Sequence, residues 1–232
     1  MIIEFAGVPG SGKSTLAARY IALLGEKGVY AISRKDLGGK QYHVLVNGIL
    51  IIPKFIQLVF TPFYWKPIYN MLLFTIQYPN RIYNLKRGFD LIRLVKKLKR
   101  ILRTGIPVVL EQGLMQEIVS IAYLSKLKNN KRLKAILTDI HFIMCQSVYI
   151  ECQLDEGTAV HRINSRQYSR SRLEDMPKDE QLSAMRTTCS NYNTLFDALR
   201  QIGSDVCVVT IDTNAPQDKV FSKLCKELDL LV

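Results

Sequence analysis

The sequence has little histidine or cysteine and no repeated or low-complexity segment. Its three histidines, His43, His141 and His161, stand apart without metal-ligand spacing, and its five cysteines show no paired ligand spacing either. We therefore expect no structural metal. Because the number of cysteines is odd, we expect reduced thiols rather than a disulfide framework.

Long apolar runs are also missing, which argues against a transmembrane helix. The closest approach, residues 44–63, is interrupted by polar residues and prolines: Asn47, Pro53, Lys54, Gln57 and Pro62. A secretory signal needs a basic start and then an apolar run, whereas the first residues here lead directly into a glycine turn. We therefore expect a cytoplasmic protein.

Acidic residues are outnumbered by basic ones, 20 to 32, which gives a formal net charge of +12. Such a surface attracts anions, whether nucleotide phosphates, nucleic acid or acidic lipid headgroups. The basic clusters at residues 96–103 and 126–134 are accompanied by no recognised nucleic-acid motif, so we expect no specific nucleic-acid partner. With 48% hydrophobic residues, the chain of 232 residues is expected to form a single domain, 1–232.

Short apolar runs alternate with segments that carry apolar residues at helical spacing. The runs predict five strands, at residues 2–6, 29–33, 108–110, 148–152 and 206–211, and the clearest helices are predicted at 13–27 and 88–103. This alternation predicts an α/β fold, with a five-stranded parallel sheet covered by helices on both faces. The long interval at about 41–105, rich in aromatic residues and broken by prolines, predicts a helical cap inserted between the second and third strands.

A glycine-rich motif lies between the first predicted strand and the first predicted helix. It reads GVPGSGKST and matches the pattern GxxxxGK[ST] in the strand-turn-helix context that this pattern requires. The loop backbone is expected to hold the phosphates of ATP, with Lys13 reaching the β and γ phosphates and Ser14 offering its hydroxyl to Mg²⁺. We call residues 7–14 the phosphate loop, and the predicted nucleotide-binding residues here are Gly7, Val8, Pro9, Gly10, Ser11, Gly12, Lys13, Ser14 and Thr15.

Two further features carry charges suited to phosphoryl transfer. The segment VVLEQG puts Glu111 at the carboxyl end of the third strand, where it could accept a proton or orient a metal-bound water; the alternative is a surface glutamate in a turn. After the fourth strand come Arg162, Arg166, Arg170 and Arg172, which could close over a nucleotide or form a solvated basic helix end.

The order of these pieces resembles the P-loop nucleoside and nucleotide kinases, thymidylate kinase most of all. The resemblance rests on the phosphate loop, SRKDLGG after the second strand, the carboxylate after the third, VYIECQLDEGTAVHRINSR and the closing VVTIDTNAPQDKV. It covers the start and roughly the second half of the chain, with little of residues 41–105. It implies a three-layer P-loop fold with an arginine lid at about 162–178.

The resemblance also implies roles for individual residues. The lid arginines are Arg162, Arg166 and either Arg170 or Arg172, and the adenine of ATP lies near Asp212, Asn214, Ala215 and Pro216. Arg34 and Asp36 correspond to an Arg-Glu pair near the acceptor, and Glu111 corresponds to the base that opens the Glu-Arg-Ser motif of deoxynucleoside kinases.

The chain departs from the family at this last motif. It reads Glu111-Gln112-Gly113 where thymidylate kinases have Asp-Arg and deoxynucleoside kinases have Glu-Arg-Ser. Gln112 thus stands where an arginine would hold the acceptor. Either Arg81, Lys86 or Arg87 replaces that arginine, or the acceptor is not a nucleoside monophosphate.

These features favour an ATP- and Mg²⁺-dependent phosphotransferase acting on a small-molecule acceptor, with a nucleoside or nucleotide as one candidate. The alternative is an ATP-binding regulatory protein whose apolar residues 50–60 and 63–74, beside a basic helix face, contact a membrane peripherally. Filling of the cap core explains the same apolar residues. The sequence leaves the oligomeric state open, a homodimer included.

Overall fold

The computed structural model describes residues 1–37, 65–166, 173, 176–203 and 205–229. The predicted cap residues 41–64 and the lid residues Arg170 and Arg172 lie outside these ranges.

Five parallel strands form one sheet, as the sequence predicts. Its order is β2-β3-β1-β4-β5, so β1 is central and each neighbouring pair is parallel. Because all carboxyl ends then lie at one edge, the loops that follow the strands meet there. The strands are β1 Ile2–Ala6, β2 Ile32–Ser33, β3 Val108–Leu110, β4 Ser147–Gln153 and β5 Cys207–Asp212.

Helices cover both faces of the sheet and produce the three-layer arrangement. Ile3 and Phe5 of β1 pack with α1 and α9 on one face, while Ile2 and Ala6 pack with α4 and α8 on the other. The helices of the described residues are α1 Lys13–Glu26, α2 Trp65–Thr75, α3 Arg81–Leu102, α4 Leu114–Ile121, α5 Lys131–Asp139, α6 His141–Met144, α7 Glu156–Asn164, α8 Lys178–Ile202 and α9 Gln217–Asp229.

Two predicted elements have different bounds in the structure. The second strand was predicted at 29–33, but β2 contains Ile32–Ser33 alone because the Val29 amide bonds the carbonyl of Leu24 and continues the turn that ends α1. The helix predicted at 88–103 begins earlier, at Arg81.

The described part of the cap is helical. The buried face of α3 packs on α2 and α4, and α2 also packs on α5. None of the helices in the described ranges combines the length and apolarity needed to cross a bilayer. The cap helices approach each other closely at Gly88 of α3, where an added Cβ would lie 2.8 Å from Cγ of Met71 and 3.1 Å from Cγ2 of Thr75.

We expect Gly88→Ala to lower the free energy of unfolding. Overpacking against buried Met71 and Thr75 costs about 1–3 kcal/mol, which exceeds the gain in helix propensity of at most about 1 kcal/mol. The control is Gly25→Ala in α1, where an added Cβ has no neighbour within 4 Å, so propensity alone should raise the stability. Urea unfolding of both variants measures this, and equal gains would contradict close packing at Gly88.

Candidate functional site

The phosphate loop joins the central strand β1 to α1 and is fixed by its glycines. Gly10 has φ of +87°, a left-handed conformation that favours glycine, and an added Cβ would lie 2.9 Å from the carbonyl oxygen of Ala159 in α7. At Gly7 an added Cβ would collide with the carbonyl oxygen of Cys152 in β4. The loop therefore curls against β4 and α7, with its backbone at the amino end of α1.

Lys13, the first residue of α1, reaches back across this loop. Its Nζ donates a hydrogen bond to the carbonyl of Val8 at 2.7 Å and contacts Oγ of the buried Ser11 at 3.4 Å. Ser14 and Thr15 follow it in the first helical turn and are exposed, so their hydroxyl groups are accessible from solvent. Lys13 thus closes the loop through Val8 and Ser11, and the binding of phosphate and Mg²⁺ by these residues stays a prediction.

The pKa of Lys13 indicates which charges surround its ammonium group. Burial is the main cause that lowers this pKa from 10.5 to about 8; the guanidinium of Arg166 lowers it further, while the Cys152 thiol and the Glu111 carboxylate oppose the shift. Glu111 and Arg166 therefore both lie within electrostatic range of Lys13. The structure brings together the phosphate-loop lysine, the carboxylate after β3 and one of the predicted lid arginines.

A pocket lies between the phosphate loop and the loop after β5. The side chain of Arg162 lines it and donates from Nη2 to the carbonyl of Thr213 at 3.1 Å. The pocket is lined by Ser11, Gly12, Thr15, Leu16, Arg19, Arg162, Thr213, Ala215, Gln217 and Val220. Of the predicted adenine-side residues, Ala215 lines this pocket.

The other predicted adenine-side residues shape the loop after β5. Asp212 accepts hydrogen bonds from the backbone amide of Asn214 at 2.9 Å and from its side-chain amide at 2.7 Å, and these bonds lower the pKa of Asp212. The exposed Pro216 precedes α9, and its carbonyl accepts the amide of Val220 at 3.1 Å. Asp212 and Asn214 thus hold the turn whose neighbours line the pocket.

On the other side of the phosphate loop, two arginines meet one buried carboxylate. Nη1 of Arg87 lies 3.0 Å from Oε2 of Glu117, and Nη2 of Arg34 lies 3.4 Å from Oε1. Burial raises the pKa of Glu117, and the charges of Arg87 and Arg34 oppose that shift. Arg87 also donates from Nε to the hydroxyl of Tyr83 at 2.7 Å. We call Arg34, Glu117, Arg87 and Tyr83 the arginine cluster.

This cluster includes one of the three basic residues that the sequence offers in place of the missing arginine and leaves out the other two. Arg87 belongs to it, whereas Arg81 and Lys86 of the same helix are exposed, as is Gln112. Asp36 holds the turn after β2, where its Oδ2 accepts the amide of Ser33 at 2.8 Å and the hydroxyl of Ser33 at 2.6 Å. Sequence reasoning missed Glu117, which is one of two adjacent polar residues in the otherwise apolar segment LMQEIV.

A second buried carboxylate, Glu4 of β1, was also missed. Its two oxygens accept the backbone amides of Leu114 at 2.9 Å and Met115 at 2.8 Å, the first residues of α4. Burial raises the pKa of Glu4 from 4.5 to about 7, although the bonds from the Met115 and Leu114 amides act in the opposite direction. A carboxylate at this position also interacts favourably with the positive end of the helix.

Glu4 explains the glycine that interrupts the family motif. A Cβ added at Gly113 would lie 2.5 Å from the carboxylate carbon of Glu4. A serine there would therefore collide with a carboxylate that is already bonded to the two amides that follow. The sequence Glu111-Gln112-Gly113 fits the space that Glu4 leaves.

The buried Glu4 predicts a pH dependence of stability. Because its folded-state pKa of about 7 lies above the ordinary 4.5, the folded chain binds more protons between these values, so its contribution to stability falls as pH rises through this window. The free energy of unfolding of the wild type relative to Glu4→Gln should decrease by up to roughly 3 kcal/mol from pH 4.5 to 8. Urea unfolding at several pH values measures the difference; a flat profile would contradict it.

Gly113→Ala should destabilise the fold, because its methyl group would push against the Glu4 carboxylate and its two backbone bonds. We expect a loss of about 1–3 kcal/mol in the free energy of unfolding. The matched control is Gly157→Ala in the first turn of α7, where an added Cβ has its nearest contact at 3.4 Å. A Gly113→Ala variant as stable as this control would mean that the space above Glu4 is not restricted.

Comparisons with known proteins identify the fold. A structure of deoxyadenosine kinase from M. mycoides with the products dCMP and a flexible dCDP matches with 17% identity and a TM-score of 0.53, over 99% of each chain. A second structure, of the same kinase with bound dATP, matches with 17% identity and a TM-score of 0.54, over 99% of this chain and 100% of that one. No protein-family model and no curated protein matches the chain. The likeness shows the fold of these kinases, and the finer resemblance to thymidylate kinase stays a prediction.

Proposed function

We propose that residues 1–232 form a single-domain, ATP- and Mg²⁺-dependent kinase that transfers the γ-phosphoryl group to a hydroxyl of a nucleoside. The observation that carries this proposal is the phosphate loop, which is held tightly against β4 and α7 and across which Lys13 bonds the Val8 carbonyl, with Glu111 and Arg166 within electrostatic range of the lysine. Phosphoryl transfer to a hydroxyl requires a general base, a lysine that binds the phosphates and a second cationic side chain that stabilises the transferred group.

ATP binds with its phosphates over the phosphate loop and the amino end of α1, where backbone amides and the helix dipole favour negative charge. Lys13 exchanges its bond with the Val8 carbonyl for the β and γ phosphates. Adenine occupies the side near Ala215 and Pro216, and the bond from Arg162 to the Thr213 carbonyl connects α7 to that loop. Residues 162–178 act as the lid over the nucleotide.

Oxygen donors suited to Mg²⁺ lie beside the phosphate loop. The exposed hydroxyl of Ser14 and the half-buried carboxylate of Glu111 are the donor types that Mg²⁺ prefers together with phosphate oxygens. A Mg²⁺ ion held by Ser14 and Glu111 would supply positive charge beside the β and γ phosphates. The Glu111 carboxylate would also accept the proton of the acceptor hydroxyl.

Electrostatics favours a hydroxyl acceptor over a phosphate acceptor at Glu111. A carboxylate accepts a proton from a hydroxyl but repels a dianionic phosphate, and Gln112 offers no positive charge to compensate. The acceptor oxygen attacks the γ phosphorus in line, the bond to the β,γ-bridging oxygen breaks, and the hydroxyl proton passes to Glu111. Lys13, Arg162 and Arg166 stabilise the charge that develops on the phosphoryl oxygens.

The arginine cluster supports an acceptor site between β2, α3 and α4. The guanidinium groups of Arg34 and Arg87 both bond to the carboxylate of Glu117, and the Tyr83 hydroxyl accepts from Arg87. These bonds hold several polar groups in fixed positions beside β2, α3 and α4. A nucleoside presents hydroxyl and ring nitrogen groups that can bond to them. The structurally similar proteins are deoxyadenosine kinases, and their ligands dATP, dCMP and dCDP are phosphorylated nucleosides.

Glu111→Gln tests this mechanism. With Mg²⁺-ATP and pooled nucleosides, nucleotides, sugars and lipid alcohols, the wild type should yield a nucleoside that has gained one phosphoryl group, identified by mass spectrometry. Loss of the base should lower kcat by about 10²–10⁴-fold while ATP affinity changes little. The control Glu26→Gln, an exposed glutamate at the end of α1, should retain wild-type turnover.

Two results would contradict the proposal. Tight ATP binding by the wild type without turnover dependent on any acceptor would favour the regulatory alternative, and pelleting with anionic liposomes would then point to its membrane-associated form. Transfer that Glu111→Gln leaves unchanged would remove the base from this position.

A further inference from the structure

A cluster of three metal-ligating side chains lies away from the phosphate loop. An imidazole nitrogen of His141, Sγ of Cys145 and a carboxylate oxygen of Asp205 all lie within 4.8 Å of one another. The His141 Nε2 to Asp205 Oδ1 distance is 3.1 Å. His141 is half-buried, and Cys145 and Asp205 are exposed, so the cluster is open to solvent.

The topology explains how these residues meet. His141 and Cys145 are four residues apart, at the start and the end of the short helix α6, and the amide of Cys145 bonds the carbonyl of His141 at 2.9 Å. Asp205 precedes β5, and the pairing of Val148 with Cys207 puts it beside the residues that precede β4. Since β4 and β5 are parallel, the cluster lies at their amino ends, at the opposite edge of the sheet from the phosphate loop.

This arrangement changes the interpretation of the sequence, which predicted no structural metal. The three histidines were considered isolated and no metal-ligand spacing was recognised, because the third ligand is 60 positions beyond Cys145. Asp139, the acidic residue nearest to His141 in the sequence, accepts from Nδ2 of Asn70 at 2.7 Å instead.

We propose that His141, Cys145 and Asp205 bind Zn²⁺, with water as the fourth ligand. Imidazole nitrogen, thiolate and carboxylate are the three ligand types that Zn²⁺ takes, and three protein ligands leave one position open. Tetrahedral bonds of about 2.0–2.3 Å require ligand atoms separated by about 3.3–3.8 Å. Rotation of the exposed Cys145 and Asp205 side chains would bring the three ligand atoms to these separations. Binding displaces the thiol proton of Cys145 to solvent.

The backbone next to the cluster leaves room for these side chains. A Cβ added at Gly203 would collide with the Asp205 carboxylate and lie 3.0 Å from Nε2 of His141. Gly203 has an extended backbone, with φ of −170°, which any residue can adopt. Its conformation therefore does not require glycine, whereas the space around the two ligands does.

Bound Zn²⁺ would connect α6 to the segment between α8 and β5. These segments enter β4 and β5. At their other ends, β4 leads into α7, which carries Arg162, and β5 leads into the loop predicted to lie near adenine. The ion would stabilise the folded chain by mass action, and its place at the opposite edge of the sheet separates it from the transfer step.

Metal titration of the chelator-treated, reduced full chain tests the site. Co²⁺, the spectroscopic probe, should bind with one equivalent and show thiolate charge-transfer and four-coordinate absorption that Zn²⁺ abolishes by displacement. Cys145→Ser should lose the charge-transfer band and weaken Zn²⁺ binding at least tenfold, whereas Cys225→Ser in α9 should retain both. Zn²⁺ should raise the Tm of the wild type and of Cys225→Ser, with a smaller increase in Cys145→Ser.

Gly203→Ala provides a second variant in which all three ligands are present. It should weaken Zn²⁺ binding by crowding His141 and Asp205, while Gly25→Ala should not. The proposal is overturned if the wild type shows no thiolate-bound Co²⁺, or if Cys145→Ser binds Co²⁺ and Zn²⁺ as the wild type does. These readouts do not depend on kinase activity, so their failure leaves the proposed function untouched.

Discussion

The buried carboxylate of Glu4 constrains the whole phosphate-binding edge of the sheet. Removing a carboxylate from water is costly; two backbone amides and the positive end of α4 offset part of that cost, and the remainder raises the pKa of Glu4. These bonds join the central strand β1 directly to the first turn of α4. Since β1 leads into the phosphate loop and Gly113 leads into α4, the same carboxylate fixes the position of Glu111 relative to Lys13.

The acceptor side depends on the same helix. Glu117 lies three residues after Leu114 on α4 and binds Arg34, which follows β2, and Arg87, which belongs to the cap helix α3. A shift of α4 would therefore move the cap as well as the loop that carries Glu111. Arg87 approaches the acceptor side from the cap helix and already has a carboxylate partner, and its replacement of the arginine absent from Glu111-Gln112-Gly113 stays a prediction.

Much of the fold could be predicted from the sequence because its signals are local. An apolar run followed by a glycine turn and a helix identified β1, the phosphate loop and α1, and the alternation of strands and helices identified the sheet. The failures involve long-range contacts. Glu4 looked like a single acid in an apolar strand, because its partners Leu114 and Met115 are more than 100 positions away. His141 and Asp205 meet only through the register of β4 and β5.

The most direct test of the central claim is a crystal structure of the chain with Mg²⁺, a non-hydrolysable ATP analogue and deoxyadenosine. The account predicts the phosphates on the phosphate loop with Lys13 in contact, and an acceptor hydroxyl within about 2.6–3.2 Å of the Glu111 carboxylate. An analogue bound in the loop with Glu111 directed away from a bound nucleoside, or with no nucleoside at that edge, would contradict it.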